Sequence, residues 1–260
     1  MKIRVCGVRG STPVSGPEFA RVGGHTSCIA ISSRDELPSL VLDAGTGLQR
    51  LARVFGDQPF SGAILLTHLH WDHMQGLPFF PPADREDARV VLAQPAQGDP
   101  AATLARSMSP PHFPIGPDEL GGTWTHVALE PGAHQFGPFE VLARDVVHKG
   151  GRTYGYRVTC DAASFTYVPD ALDANDEAIL ELANGTDVFV RGTPFVRAEQ
   201  TRADEYGHGT AEHAAEIAQR AGVGRFVITH HNPFRTDDAV EKVAASVGAT
   251  ALIEGAELDV

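Results

Sequence analysis

Four residues within six positions, His68, His70, Asp72 and His73, carry side chains that bind metal ions or move protons, in the order His-x-His-x-Asp-His. In an extended stretch residues i and i+2 project to one side, so His68 and His70 can hold one ion. A turn at Trp71 then lets Asp72 and His73 address a second ion nearby. Neutral imidazole nitrogens together with carboxylate oxygens suit Zn²⁺, and the same donors accept Mn²⁺ or Fe²⁺. Chance yields this pattern in roughly 2 of 1,000 chains of this composition, so the signal is specific. The bland alternative is a polar loop whose histidines satisfy one another. Four ligand-type residues at the end of a strand argue against it.

The elements that must position these residues are legible from periodicity. Residues 63–66, just before the cluster, form a continuous apolar run of strand length, as expected for a buried strand. Upstream, residues 3–5, 29–31 and Leu40–Leu42 read as strands separated by glycine turns, and Leu48, Leu51 and Val54 recur at helical spacing. Downstream, residues 90–92, 139–142, 154–158, 165–168 and 188–190 read as strands. Residues Ala211–Ala221 form a helix stopped by Gly222, feeding a strand at 226–229. A last helix spans 237–247 and a last strand 251–253. Two strand-rich halves, each closing with helices, imply two sheets face to face with helices outside, an α/β αββα sandwich. No linker of disordered composition divides residues 1–260, which are expected to form a single domain. Residues 97–123, with Met108, Pro110, Pro111, Phe113 and Pro114, lack clear periodicity and are expected to be a lid-like insertion.

Composition narrows the field further. Hydrophobic residues make up 42% and charged residues 21% of 260, which excludes disordered and fibrous classes. Acidic residues outnumber basic ones 33 to 21, and a net charge of −12 repels polyanions. A bulky nucleic acid is therefore disfavoured as a partner. No apolar run reaches the ~20 residues of a membrane span, and the first residues lack a signal core. Three scattered cysteines, Cys6, Cys28 and Cys160, form no disulfide framework. The expectation is a cytoplasmic protein without a membrane partner, and a homo-oligomer stays open.

The His68–His73 motif resembles the signature of the metallo-β-lactamase superfamily. Gly7-Val8-Arg9-Gly10-Ser11-Thr12-Pro13, Gly23-Gly24-His25-Thr26-Ser27-Cys28 and Leu42-Asp43-Ala44-Gly45-Thr46-Gly47 are similar to the opening motifs of its phosphodiesterase-like branch, which includes RNase Z and cyclic phosphodiesterases. The resemblance spans almost the whole chain. It implies three further ligands at the ends of later strands: His148, Asp170 and His230. One site would hold His68, His70 and His148, and the other Asp72, His73 and His230, with Asp170 bridging. His230 is preferred over His231 because the family places the ligand directly after the threonine that ends the strand. Asp72 is expected to serve catalysis as well as metal binding.

Two ions would supply a nucleophile from water that could attack phosphorus or a carbonyl carbon, so the ligands do not choose the reaction. The segment Gly207-His208-Gly209-Thr210 resembles a helix start of the phosphodiesterase branch, which implies that His208 contacts the phosphate or assists the leaving group. A helix terminus there would also favour an anion. The structural alternative is a capping segment, with Thr210 as N-cap and His213 on the solvated face. One departure stands out: the branch commonly carries an acid after the strand 188–190 to orient this histidine. Here Gly192 occupies about that place, so the pair is lost or supplied by Asp204 or Glu205. The basic arm that grips tRNA is also missing. The leading expectation is a dinuclear metal-dependent phosphodiesterase acting on a small nucleotide-like or cyclic diester, with the lid segment 107–116, which holds Phe113, as an apolar wall for a base. The alternatives are hydrolysis of a thioester or lactam, or metal binding without turnover.

Overall fold

The computed structural model describes residues 1–34, 36–174 and 176–260. Among these residues two seven-stranded sheets pack face to face. The first contains β1 (Lys2–Gly7), β2 (Cys28–Ser32), β3 (Leu40–Leu42), β4 (Ser61–Leu65), β5 (Arg89–Pro95) and β6 (Thr123–Leu129). The second contains β7 (Gly132–Phe136), β8 (Phe139–Val146), β9 (Thr153–Cys160), β10 (Ala163–Val168), β11 (Val188–Gly192), β12 (Arg225–Thr229) and β13 (Thr250–Ala251). The last strand, β14 (Glu257–Asp259), returns to pair with β1, so the first sheet runs β14-β1-β2-β3-β4-β5-β6 and the second β13-β12-β11-β10-β9-β8-β7. Strands β3 to β6 are mutually parallel, as are β10 to β13. Helices α1 (Leu48–Phe55), α2 (Trp71–Met74), α3 (Pro100–Ala105), α4 (Asp176–Ala183), α5 (Gln200–Tyr206), α6 (Ala211–Ala221) and α7 (Asp237–Ser246) complete the fold.

Strand alternation explains the layers. Ile29, Ile31, Leu40, Leu42 and Leu65 meet Phe139, Tyr154, Phe165, Tyr167 and Val190 between the sheets. Their neighbours on the opposite face, Cys28, Ala30, Val41 and Ile64, pack under Leu48, Leu51 and Phe55 of α1. On the far side Val168 and Phe189 meet Ile179 and Leu182 of α4 and Ile217 and Ala221 of α6. Strands buried on both faces read as continuous apolar runs because neither face meets water. This is the αββα sandwich expected from the sequence. Truncating a central side chain such as Leu42 to alanine would cost about 2–5 kcal/mol.

Details differ at the edges. In α1 the third buried position is Phe55 rather than Val54. The final strand of the second sheet is only Thr250–Ala251. Within residues 97–123, α3 is capped by Asp99, whose carboxylate accepts the Ala102 amide at 2.8 Å, and a 3₁₀ turn spans Pro117–Glu119. Edge strands β6, β7 and β14 escaped the sequence reading because polar residues interrupt their apolar pattern. No helix among the described residues is long and apolar enough to cross a membrane.

Candidate metal centre

Parallel strands place their C-terminal ends together, and in α/β sheets that end is where ligands gather. The loop after β4 carries His68 and His70, the short helix α2 that follows carries Asp72 and His73, and Asp43 follows β3. From the other sheet, His148 follows β8, Asp170 follows β10 and His230 follows β12. All seven expected ligands thus meet at one rim of the sandwich. They fall into groups, His68, His70, His148 and Asp170 in one, Asp72, His73 and His230 in another, whose donor atoms lie within 4.8 Å of one another.

Asp170 stands between the groups. Its Oδ2 lies 3.4 Å from His148 Nε2 and 3.6 Å from His68 Nε2. Its Oδ1 lies 3.0 Å from His230 Nε2 and 3.7 Å from His73 Nε2. His70 Nδ1 approaches His68 Nε2 at 2.8 Å and His148 Nε2 at 3.3 Å. Asp72 Oδ2 is 3.1 Å from His230 Nε2 and 3.2 Å from His73 Nε2, and it accepts the Ser11 amide at 2.7 Å. Nitrogen or oxygen donors held tetrahedrally by a zinc ion stand roughly 3.3 Å apart. The observed spacings bracket that value.

The inward atoms suit a cation. Asp170 Oδ1 is buried with no hydrogen-bond donor aligned on it. His73 Nε2 and His230 Nε2 face each other at 3.3 Å. Burial of lone pairs against lone pairs is costly unless a positive charge lies between them. The titration behaviour says the same. Burial would lower the His73 pKa, but Asp72, Asp43 and Asp170 push it well above its ordinary value. Burial would raise the carboxyls of Asp72 and Asp170, yet neighbouring histidines hold both well below the carboxylate range. His68 and His70, pushed down chiefly by burial, offer neutral nitrogens.

The outward atoms are anchored. His148 Nδ1 lies 2.6 Å from the Gly207 carbonyl, and His68 Nδ1 lies 3.1 Å from Thr67 Oγ1. His73 Nδ1 lies 2.8 Å from Asp43 Oδ2. Asp43 is fully buried and also accepts the Thr67 amide at 2.7 Å and the Tyr167 hydroxyl at 3.1 Å. Such partners fix which ring nitrogen faces a metal. Asp43 and His230 adopt left-handed backbone angles, φ +61 and +52. That conformation disfavours side chains with a Cβ and persists where surrounding contacts enforce it. Gly10 is one such contact: a Cβ there would lie 2.3 Å from His230 Nδ1. Arg9, also fully buried, holds this loop by donating to the Gly23 and Arg235 carbonyls at 2.7 and 2.8 Å and pairing with Asp237 at 3.2 Å. Arg9, Gly10 and Asp43 lie within the glycine-rich motifs, where nothing in the sequence marks these contacts.

His208 lies in the same cleft, a cavity of about 400 Å³ that is also lined by Ser11, Trp71, Asp72, Asp170 and Tyr206. Its Nδ1 is 3.9 Å from Asp170 Oδ2, beyond hydrogen-bond reach, and burial pushes its pKa down to about 3. No other carboxylate pairs with it among the described residues. Asp204 accepts from Gln200 at 2.8 Å, and Glu205 contributes only its carbonyl, to Lys149. Gly192 is required by its surroundings, since a Cβ would sit 1.5 Å from the Pro169 carbonyl oxygen.

Two local expectations are corrected. Thr210 occupies the N-cap position, but its hydroxyl donates to Asp173 at 2.8 Å rather than capping the helix. Asp173 also accepts the Thr210 amide, so the start of α6 is already served by a carboxylate. His213 pairs with Asp173 at 2.9 Å and Asp176 at 3.2 Å instead of facing solvent alone. His231 turns away, its Nε2 lying 3.0 Å from the Leu252 carbonyl.

The sequence profile of the beta-lactamase superfamily domain matches residues 39–231. The chain belongs to the metallo-β-lactamase superfamily. Its relatives include a ribonuclease Z of Geobacillus kaustophilus, 42% identical over 69 residues. That match covers 26% of this chain and 22% of the relative, so only a fraction of the relative's length is spanned. An uncharacterized protein of Mycobacterium tuberculosis is 27% identical over 255 residues, covering 94% of this chain and 86% of the relative. Among solved structures, the metallo-beta-lactamase fold protein YhfI of Bacillus subtilis superposes with a TM-score of 0.78 at 19% identity, covering 99% of each chain. The short form of human tRNase Z gives 0.72 at 18% identity, covering 100% of this chain and 99% of that one. A diphosphatase from the PhnP family gives 0.72 at 18% identity, covering 100% and 97%. These superpositions show the metallo-β-lactamase fold, and the His/Asp groups at its rim suit a divalent metal.

Proposed function

We propose that the protein is a dinuclear metal-dependent phosphodiesterase acting on a small nucleotide-like or cyclic diester. Asp170 carries this reading, because its two carboxylate oxygens address two separate histidine groups. His68, His70 and His148 would hold one ion, Asp72, His73 and His230 the other, with Asp170 shared. Zn²⁺ fits the donor set best, and Mn²⁺ or Fe²⁺ fit it too. When bound, such a pair supplies a water-derived nucleophile at neutral pH and neutralises charge on the oxygens of the reacting group.

The chain's own residues do the rest. Asp72, fixed by the Ser11 amide, orients the second group against His230. Asp43 holds His73, and Gly207 holds His148. His208 faces the cleft without a carboxylate partner to keep it protonated. It therefore acts as a neutral N–H donor to a phosphoryl oxygen, stabilising charge there rather than delivering a proton. The acidic surface, −12 overall, and a cleft of about 400 Å³ favour a small substrate over a polynucleotide. The relatedness to a ribonuclease Z and the fold shared with a diphosphatase support chemistry at phosphorus over chemistry at carbon. Metal-loaded protein assayed against a generic aryl phosphodiester and a glutathione thioester decides: turnover of the diester is expected. Turnover of the thioester alone would overturn the reading.

A further inference from the structure

The metal cleft has a neighbour across Trp71. A second cavity, about 430 Å³, is walled by Trp71, Met74, Phe79, Met108 and Phe113. Trp71 lines both cavities. It sits between His70 and Asp72 in the turn of α2, where Asp72, His73 and Met74 are buried while Trp71 is 73% exposed. A large indole so exposed beside buried ligands adds nothing to the core. Across the cavity, Phe79, itself 51% exposed, meets Phe113 edge to face with centroids 5.8 Å apart.

We infer that this second cavity is a base subsite, which takes the uncharged planar heteroaromatic group of a nucleotide diester whose phosphate occupies the metal cleft. This rests on the phosphodiesterase reading and adds what confers specificity. Three observations carry it. No aspartate, glutamate, lysine or arginine lines the cavity among the described residues, and His112 is its one titratable side chain, so at neutral pH it suits an uncharged group. Its walls are aromatic rings and thioethers, which favour the flat π-face of a base. Its polar lining is the Gln49 and Gln75 amides, the Thr46 and Ser107 hydroxyls and the His112 imidazole, the donor and acceptor types that read a heteroaromatic edge. Because Trp71 and Asp72 are adjacent in one turn, the distance from base to phosphate is set by the backbone of α2.

The test compares two esters with the same leaving group, the p-nitrophenyl ester of a nucleoside 5′-monophosphate and methyl p-nitrophenyl phosphate. For Phe113→Ala, kcat/KM on the nucleoside ester should fall about 10- to 100-fold, mostly through KM, as expected for loss of base stacking. The loss on the methyl ester should be at least tenfold smaller, and Phe113→Tyr should recover most of the difference. Equal losses on both esters, or none on either, overturn the subsite. If wild-type, metal-loaded protein turns over neither ester, the phosphodiesterase reading fails and binding judges the subsite separately. The protein has two tryptophans, so Trp124→Phe leaves Trp71 as the only indole. Free adenosine should then quench its fluorescence saturably, and adding Phe113→Ala should weaken that response at least tenfold. No saturable quenching, or quenching indifferent to Phe113, overturns the proposal.

Discussion

Asp43 Oδ2 lies 2.8 Å from His73 Nδ1, so the imidazole donates its outer proton to a fully buried carboxylate and turns Nε2 towards Asp72 and Asp170. Asp43→Asn keeps the shape but loses the charge that fixes this tautomer. Metal affinity should fall about 10- to 100-fold, measured by competition with a chelator of known affinity. An affinity within twofold of wild type would show that the contact does not orient the ring.

Close to two transition-metal ions per chain are expected after reconstitution. Elemental analysis of His70→Ala should show loss centred on one ion, whereas Asp170→Ala should impair both. Activity should vanish with chelator, return with Zn²⁺ or Mn²⁺, and rise with pH towards ~7, where water bound to zinc ionises. At most one ion per wild-type chain, or turnover after verified metal removal, would sink the dinuclear mechanism.

His208→Ala should leave metal content intact. If the imidazole stabilises charge on a phosphoryl oxygen, turnover should drop by about 10²–10³-fold for both a nitrophenolate and an alkoxide leaving group. A much larger loss with the alkoxide would instead assign proton delivery to the leaving oxygen. Near-normal rates on both would confine His208 to shaping the segment before α6.

His213 offers a pH test away from the metal rim. Its hydrogen bond to Asp173 raises its pKa, despite burial, so the folded protein holds this proton more tightly than the unfolded chain. The contribution to stability is therefore full below about pH 6.5, the ordinary histidine value, and is lost as pH rises through the folded value. The stability difference between wild type and His213→Gln, about 1 kcal/mol or less for this partly exposed pair, should be larger at pH 5.5 than at pH 9 in denaturant titrations. A difference that grows with pH would contradict the assignment.

The core strands were legible because burial on both faces wrote continuous apolar runs such as Ala63 to Leu66, ending at the histidine motif. His148, Asp170 and His230 were reachable only through family resemblance, since single polar residues after strands carry no period of their own. Asp43, Arg9 and Gly10 were harder still. Their importance lies in what approaches them in space: His73 from 30 residues away, Asp237 from 228 away, and the His230 ring against a missing Cβ. Thr210 misled because its type suits a cap, while Asp173, 37 residues distant, competes for its hydroxyl.

The ligand set is divided between the sheets: His68, His70, Asp72 and His73 come from one, His148, Asp170 and His230 from the other. A cation at the rim therefore works as a clasp across the sandwich, and filling the site and holding the layers together become a single equilibrium. At a free metal concentration of 100 times Kd, the linkage amounts to about 2.7 kcal/mol per independent site. Stripped of metal, the same rim gathers Asp43, Asp72 and Asp170 around His73, whose raised pKa lets a proton take the place of the cation. Removing Asp72 or Asp170 should then weaken the protein both when it is loaded and when it is bare.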